Sequence, residues 1–206
     1  MDSELPMFPL GSVLFPFMPA RLRVFEERYL VMLSRILQDE PSEFGVVLIE
    51  RGQEVGGGEH RFDHGTVAQI SEVDTADGSV LLTAQGVRRV RVTEWLPDDP
   101  YPRATVREVP ELVWDDALLP LREKADAAVR RALAAAPEFD DQEWPADVWL
   151  SQDPVAFVWQ LAAIAPIGPL DQVALLKSST TEALLHAIID FVEARGDEFS
   201  AEWPAE

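Results

Sequence analysis

The chain has 206 residues, enough for one large domain or two small ones with real cores. Its 47% hydrophobic and 26% charged residues are globular proportions, which excludes wholesale disorder. A net charge of −20 repels phosphate backbones and anionic bilayers, and a cysteine count of 0 excludes disulfides, thiolate metal sites and cysteine nucleophiles.

In chain order, Leu5–Leu10 is a short apolar segment interrupted by Pro6 and Pro9, which predicts an edge strand or an irregular entry. Gly11–Pro19 is a loop rich in proline and aromatic residues. Leu22–Phe25 is a short strand, and Glu27–Leu37 carries Leu30, Leu33, Ile36 and Leu37 at helical spacing, with Pro41 just beyond. Phe44–Glu50 is a continuous apolar run of strand length. Arg51–Gly58 reads as a glycine-rich loop. Gly65–Val73, Val80–Gln85 and Val87–Trp95 are three further strands, with Asp77–Gly78 a hairpin turn between the first two. In Val87–Trp95 the alternation is imperfect, because Arg88 and Glu94 share a face with Val90 and Val92. Ala104–Val109 is the last candidate strand.

Beyond residue 110 the period changes to helical. Asp116–Ala136 holds Leu118, Leu121, Ala125, Val129 and Leu133 in one stripe. Asp153 and Pro154 mark a helix start, and that helix buries Phe157, Val158, Leu161 and Ile164 before Pro166. Pro169 opens a short helix through Lys177. Ser179 and Glu182 have capping-box spacing before a final helix that ends near Arg195–Gly196 and leaves a loose tail. Residues 137–150 are a linker or a short helix. The expected architecture is α+β: residues 1–110 as a small bent sheet or partly closed β-barrel with one helix, then residues 111–206 as a helical bundle.

The chain is poor in groups for catalysis. It has 3 histidines, His60, His64 and His186, and no G-x-S-x-G elbow or G-x-x-x-x-G-K-[ST] loop. Lys177-Ser178-Ser179 stands at a helix end, where lysine suits the dipole and serine caps the next helix. Gly56–Gly58 reads as a loop tip. His60, Asp63 and His64 are the one arrangement resembling metal ligands, but they fall where a loop enters a strand, where that spacing does not bring them onto one face. The pairs Asp98-Asp99, Asp115-Asp116 and Asp140-Asp141 lack calcium-loop spacing and sit at turns and helix starts. No catalytic residue, metal or cofactor is expected.

The aromatic residues offer more. Phe15, Phe17 and Met18 share a proline-stiffened loop, and Trp114 lies near the join of the two halves. They either pack the interior or form an adaptable apolar groove for a polypeptide, the use to which such surfaces are put.

Several strings match a known pattern in order. They are Pro6–Leu10, Leu14–Pro16, Leu22–Tyr29 (LRVFEERY), Phe44–Ile49, Gly65–Ile70 and Leu82–Val90. Together they resemble the LON substrate-binding domain, and the helical remainder resembles the bundle that follows it. The resemblance implies a PUA-like β-domain joined to helices. It also implies a module that recognises polypeptides, as this region does in ATP-dependent Lon proteases. Those proteases continue into ATPase and serine–lysine protease modules, for which these residues carry no counterpart. The expectation is therefore a stand-alone, non-enzymatic bacterial protein. Phe25, Glu26, Arg28, Tyr29, Gly65 and Gly86 carry the family pattern and are expected to be structural. Glu26 is placed to cap helix donors, Arg28 to reach a carboxylate or carbonyl, and Tyr29 to pack with its hydroxyl tied. The glycines are placed for backbone geometry.

The expected partners are unfolded or degron-bearing polypeptides, bound near Phe15, Phe17, Met18 and Trp114, with a protease or chaperone as a further partner. Basic clients would arrive faster at so acidic a protein. Neither nucleic acid nor membrane is expected. Met1–Glu4 is acidic with no signal-like apolar stretch after it, and no apolar run reaches the about 18 residues of a spanning helix, so a cytoplasmic location is expected. A small-molecule site in the β-domain is the alternative, and an unrecognised hydrolytic site using the histidines is a third.

Overall fold

A computed structural model describes residues 2–38, 40–51, 60–135 and 144–202. The chain divides into two units, Met1–Glu111 and Leu112–Glu206. Gly56–Gly58, Asp140-Asp141, the His60 side chain and residues 203–206 lie outside the described parts.

The first unit contains β1 (Asp2–Leu10), β2 (Pro19–Val24), α1 (Glu27–Ile36), β3 (Glu43–Arg51), β4 (His60–Ala76), β5 (Ser79–Leu96) and β6 (Arg103–Glu108). The strand order is β2-β5-β4-β3-β1-β6, and β5 pairs with β6 as well. That last pairing closes β5, β4, β3, β1 and β6 into a ring. β2 stays outside it, paired with the N-terminal half of β5. β1 and β3 run parallel, and the crossover between them carries β2 and α1. Eight buried side chains fill the ring: Leu5, Met7, Val47, Val67, Val90, Val92, Ala104 and Val106. The opposite face of β1 and β3 carries Phe8 and Phe44, whose ring centroids lie 6.0 Å apart, and Tyr29 of α1 stacks on Phe8 at 4.0 Å.

Two expectations are corrected here. β1 is not an edge strand: it pairs with β6 through Asp2–Pro6 and with β3 through Met7–Leu10. Met7 N–H donates towards β6, to Pro102 O at 2.8 Å, so residue 9, two positions on, faces that side too. The β6 ladder has ended by then, and the donor that Pro9 lacks would have met no partner. The stretches Val80–Gln85 and Val87–Trp95 are one continuous β5, because Gly86 is not a breaker. The imperfect alternation in its second half reflects two bulges. Val87 is the extra residue opposite β4 and Thr93 the extra residue opposite β6. The Asp77–Gly78 turn has positive φ at both residues, 50° and 75°, the form that matches strand twist in a two-residue hairpin.

The second unit has a 3-10 turn at Asp116–Leu118, then α2 (Leu119–Ala135), α3 (Pro154–Ile164), α4 (Pro169–Leu176) and α5 (Thr181–Glu202). α5 packs mainly on α2, and its Leu184, Leu185, Ile188, Ile189 and Val192 are buried. In α3 the buried aromatic residue is Trp159, whereas Phe157 is half-buried beneath the Arg122 guanidinium, 4.9 Å from its ring centre. Asp153 caps α3 by accepting from Ala156 N–H at 2.8 Å. Two further expectations change. The cap of α5 is Thr180, whose hydroxyl accepts from Ala183 N–H at 3.1 Å, rather than Ser179. α5 also continues past Gly196 to Glu202.

Candidate functional site

The loop between β1 and β2 is where sequence reasoning placed most of its candidate contacts. It is bound to the sheet by backbone groups. Thr66 Oγ1 donates to Leu14 O at 2.6 Å, Phe17 N–H donates to Gly86 O at 2.8 Å, and Gly86 N–H donates to Met18 O at 2.9 Å. Phe17 adopts φ 62°, which turns the chain back towards β2. Phe15 is 1% exposed and Met18 is 9% exposed, so both are core residues rather than solvent-facing ones. Phe17 alone of the three is half-buried. Of the two alternatives, interior packing holds for Phe15 and Met18, with the bonds to Thr66 and Gly86 fastening the loop to the sheet.

Gly86 is required by close approach, not by its φ. A Cβ there would overlap Phe15 O. Gly65 is held the same way against Val46 O. Around the start of α1, Arg28 reaches a carboxylate as expected, whereas the expected cap is absent. Glu26 makes no side-chain cap to α1. Its carboxylate instead accepts from Arg28 Nε at 3.0 Å. Arg28 lies over the Tyr29 ring at 4.5 Å, so guanidinium, Tyr29 and Phe8 form one stack. Phe25, immediately before this group, is 60% exposed and fills no core. No signal in its own string distinguishes it from the buried Tyr29.

Trp114 belongs to the second unit. Its indole N–H donates to Asp116 Oδ1 at 2.9 Å, and the Arg122 guanidinium lies 5.5 Å from its ring centre. The same unit exposes Val113, Trp149 and Leu170.

Several of the remaining polar candidates have structural partners. His64 Nδ1 lies 2.8 Å from Asp63 Oδ1, and Asp63 Oδ2 accepts from Arg91 Nε at 3.3 Å. Among the described residues no three histidine, aspartate or glutamate side chains gather as a metal site. His186 is exposed on α5, and Lys177 is exposed at the end of α4. Asp115 caps the 3-10 turn through Ala117 N–H, at 2.9 Å, and Asp98 lies 3.9 Å from Arg61. Arg88 binds Glu43 through both terminal nitrogens, at 2.8 and 2.6 Å, and Glu108 through Nε at 2.7 Å. Hydrogen bonding to Glu43 raises the Arg88 pKa above its ordinary value. Burial pushes the neighbouring Arg89 down, and it donates to Pro110 O at 2.7 Å. These arginines fasten the strands of the barrel. Among the described residues no helix is long and apolar enough to cross a membrane.

Comparison with known proteins gives consistent results. The family model of the ATP-dependent protease La (LON) substrate-binding domain matches residues 4–194. A LON peptidase N-terminal domain and RING finger protein of Schizosaccharomyces pombe is 28% identical over 120 residues, 52% of this chain and 24% of that protein. A Lon protease of Koribacter versatilis is 33% identical over 111 residues, 52% of this chain and 13% of the relative. The chain therefore spans a small part of each relative's length. A Lon N-terminal domain protein from Xanthomonas campestris superposes with TM-score 0.64 at 24% identity, covering 92% of this chain and 98% of its own. The N-terminal domain of a Mycobacterium avium complex Lon protease superposes with TM-score 0.64 at 16% identity, covering 93% and 98%. At those identities the two structures establish the shared fold.

Proposed function

The chain belongs to the LON substrate-binding domain family, and on that premise we propose that it recognises polypeptides without catalysing a reaction on them. The observation that carries the reading is the family match from residue 4 to residue 194, which takes in both the barrel and the helices. We place the protein in the cytoplasm as an adaptor or regulator of proteolysis that binds unfolded or degron-bearing chains.

Within the first unit, Phe17 is the loop residue we assign to client contact, its backbone bonded to Gly86, with Phe15 and Met18 buried in the same loop. A rigidly presented aromatic side chain gives contact area at little cost in conformational entropy. Trp114 is a separate candidate contact in the second unit. The alternative of a small ligand inside the barrel is disfavoured by the side chains that fill it. A methyl group at Gly45 would already meet Met7 Sδ at 2.5 Å and Leu5 Cδ2 at 3.0 Å.

The reading is tested by diluting a chemically denatured client from denaturant and following its aggregation by light scattering. Equimolar protein is expected to delay aggregation, and Phe17→Asp, confirmed folded, to delay it less. No delay at several-fold excess, with no binding of the unfolded client, overturns the reading.

A further inference from the structure

We infer that β2 is a strand-addition site, at which an extended client segment with carboxylates at alternate positions joins the sheet. The inference rests on the polypeptide-recognition reading and specifies how a client is held. β2 pairs with β5 on one side, and among the described residues no strand pairs with its other side. Gly86 N–H donates to Met18 O at 2.9 Å, which fixes the phase of the ladder. Counting on by twos, the backbone groups of Ala20, Leu22 and Val24 point to β5, and those of Pro19, Arg21 and Arg23 point away from it. The one proline of the strand stands at an outward position, where its missing N–H leaves the β5 ladder whole. The open edge offers the N–H and C=O of Arg21 and Arg23 and the C=O of Pro19.

Side chains decide what fits. Ala20, Leu22 and Val24 lie on one face, continued across the sheet by Ala84, Leu82 and Val80. Arg21 and Arg23 are exposed on the other face. A second copy of β2 is a poor occupant, because antiparallel pairing centred on Leu22 would set each arginine opposite an arginine. A segment of the type Glu-Val-Glu is a good one. Its glutamates would exchange backbone bonds with Arg21 and Arg23 while their carboxylates meet the guanidinium groups, and its valine would extend the face of Leu22. Arg23 is already oriented, since its Nε donates to Ser79 Oγ at 2.9 Å. The surrounding net charge of −20 opposes acidic molecules at long range, so the fitting segment is a short one within a client of neutral or basic composition.

The test uses a labelled peptide with a Glu-Val-Glu core and lysine flanks giving zero net charge, titrated by fluorescence anisotropy. Two analogues carry a single backbone N-methyl group, on the first glutamate or on the valine. Methylation on the glutamate removes a donor aimed at β2 and is expected to weaken binding about tenfold or more. Methylation on the valine points outward and is expected to change it less than about twofold. Equal effects of the two methyl groups overturn the inference. Arg21→Pro, which removes an outward N–H and leaves the β5 ladder intact, is expected to lose the peptide as well. A permanently unfolded polypeptide is titrated alongside. Capture of that chain without position-dependent peptide binding overturns strand addition alone. Binding of neither overturns polypeptide recognition itself.

Discussion

The carbonyl oxygen of Phe15 occupies the place where a side chain at Gly86 would begin. The two residues belong to segments far apart in sequence, and their approach lets the loop after β1 lie directly against β5. Gly86→Ala must push that loop away and strain the bonds to Met18 and Thr66. It is expected to cost about 1–3 kcal/mol or more in urea unfolding, as overpacking does. Gly78→Ala has open space around it and φ of 75°, so its cost is conformational only, about 1–2 kcal/mol. The informative difference is in local order: loss of amide protection at Phe17 and Gly86 is expected in the first variant and not in the second.

The arginine cluster predicts an asymmetry. Glu43 is 11% exposed at its side chain and holds Arg88 through two bonds, while Glu108 is 63% exposed. Glu43→Ala leaves a half-buried guanidinium short of its main partner and is expected to cost about 1.5–3 kcal/mol. Glu108→Ala is expected to cost less than about 1 kcal/mol. Denaturant unfolding of the two variants checks the order. Equal costs would show that the bidentate pair adds nothing beyond a surface contact.

Helix capping provides a test of residue assignment. Thr180→Ala is expected to destabilise by about 1 kcal/mol, as is Asp153→Ala, because each removes a side-chain acceptor from a helix N-terminus. Ser179→Ala is expected to change stability by less than about 0.5 kcal/mol. Thermal melts of the three variants are sufficient.

Titration offers a fourth check. The hydrogen bonds from Arg107 hold the Asp2 carboxyl below its ordinary value of 3.8. A carboxylate whose folded value is depressed contributes stability above its unfolded value, and that contribution is lost as pH falls through the folded one. The pair therefore acts above about pH 3.8 and fades below it. Carboxyl NMR of the folded protein is expected to show Asp2 titrating low, and Arg107→Gln to return it towards 3.8.

Much of the fold was legible because it depends on local patterns. The run Phe44–Glu50, the Asp77–Gly78 turn and the Asp153–Pro154 start each carry their structural meaning within a few residues. What escaped depends on distant partners. Pro6 and Pro9 look like breakers until the strand is seen to change neighbours between them. Gly86 looks like the end of a strand until Phe15 is placed over it. The two bulges in β5 exist to serve β4 and β6 and leave only an imperfect alternation behind. At the candidate site the same limit applied more strongly. Leu14–Met18 has the composition of a surface loop, and nothing within it announces that Thr66, 52 residues away, accepts it into the core. The open edge of β2 is likewise a property of strand order, not of the string Pro19–Val24.

The most direct measurement is an anisotropy titration of a labelled, permanently unfolded polypeptide with the intact protein, run beside the folded Phe17→Asp and Arg21→Pro variants. Saturable binding by the wild type, weakened in both variants, is the expected result. No saturable binding by a protein whose folding is verified in the same buffer would contradict polypeptide recognition.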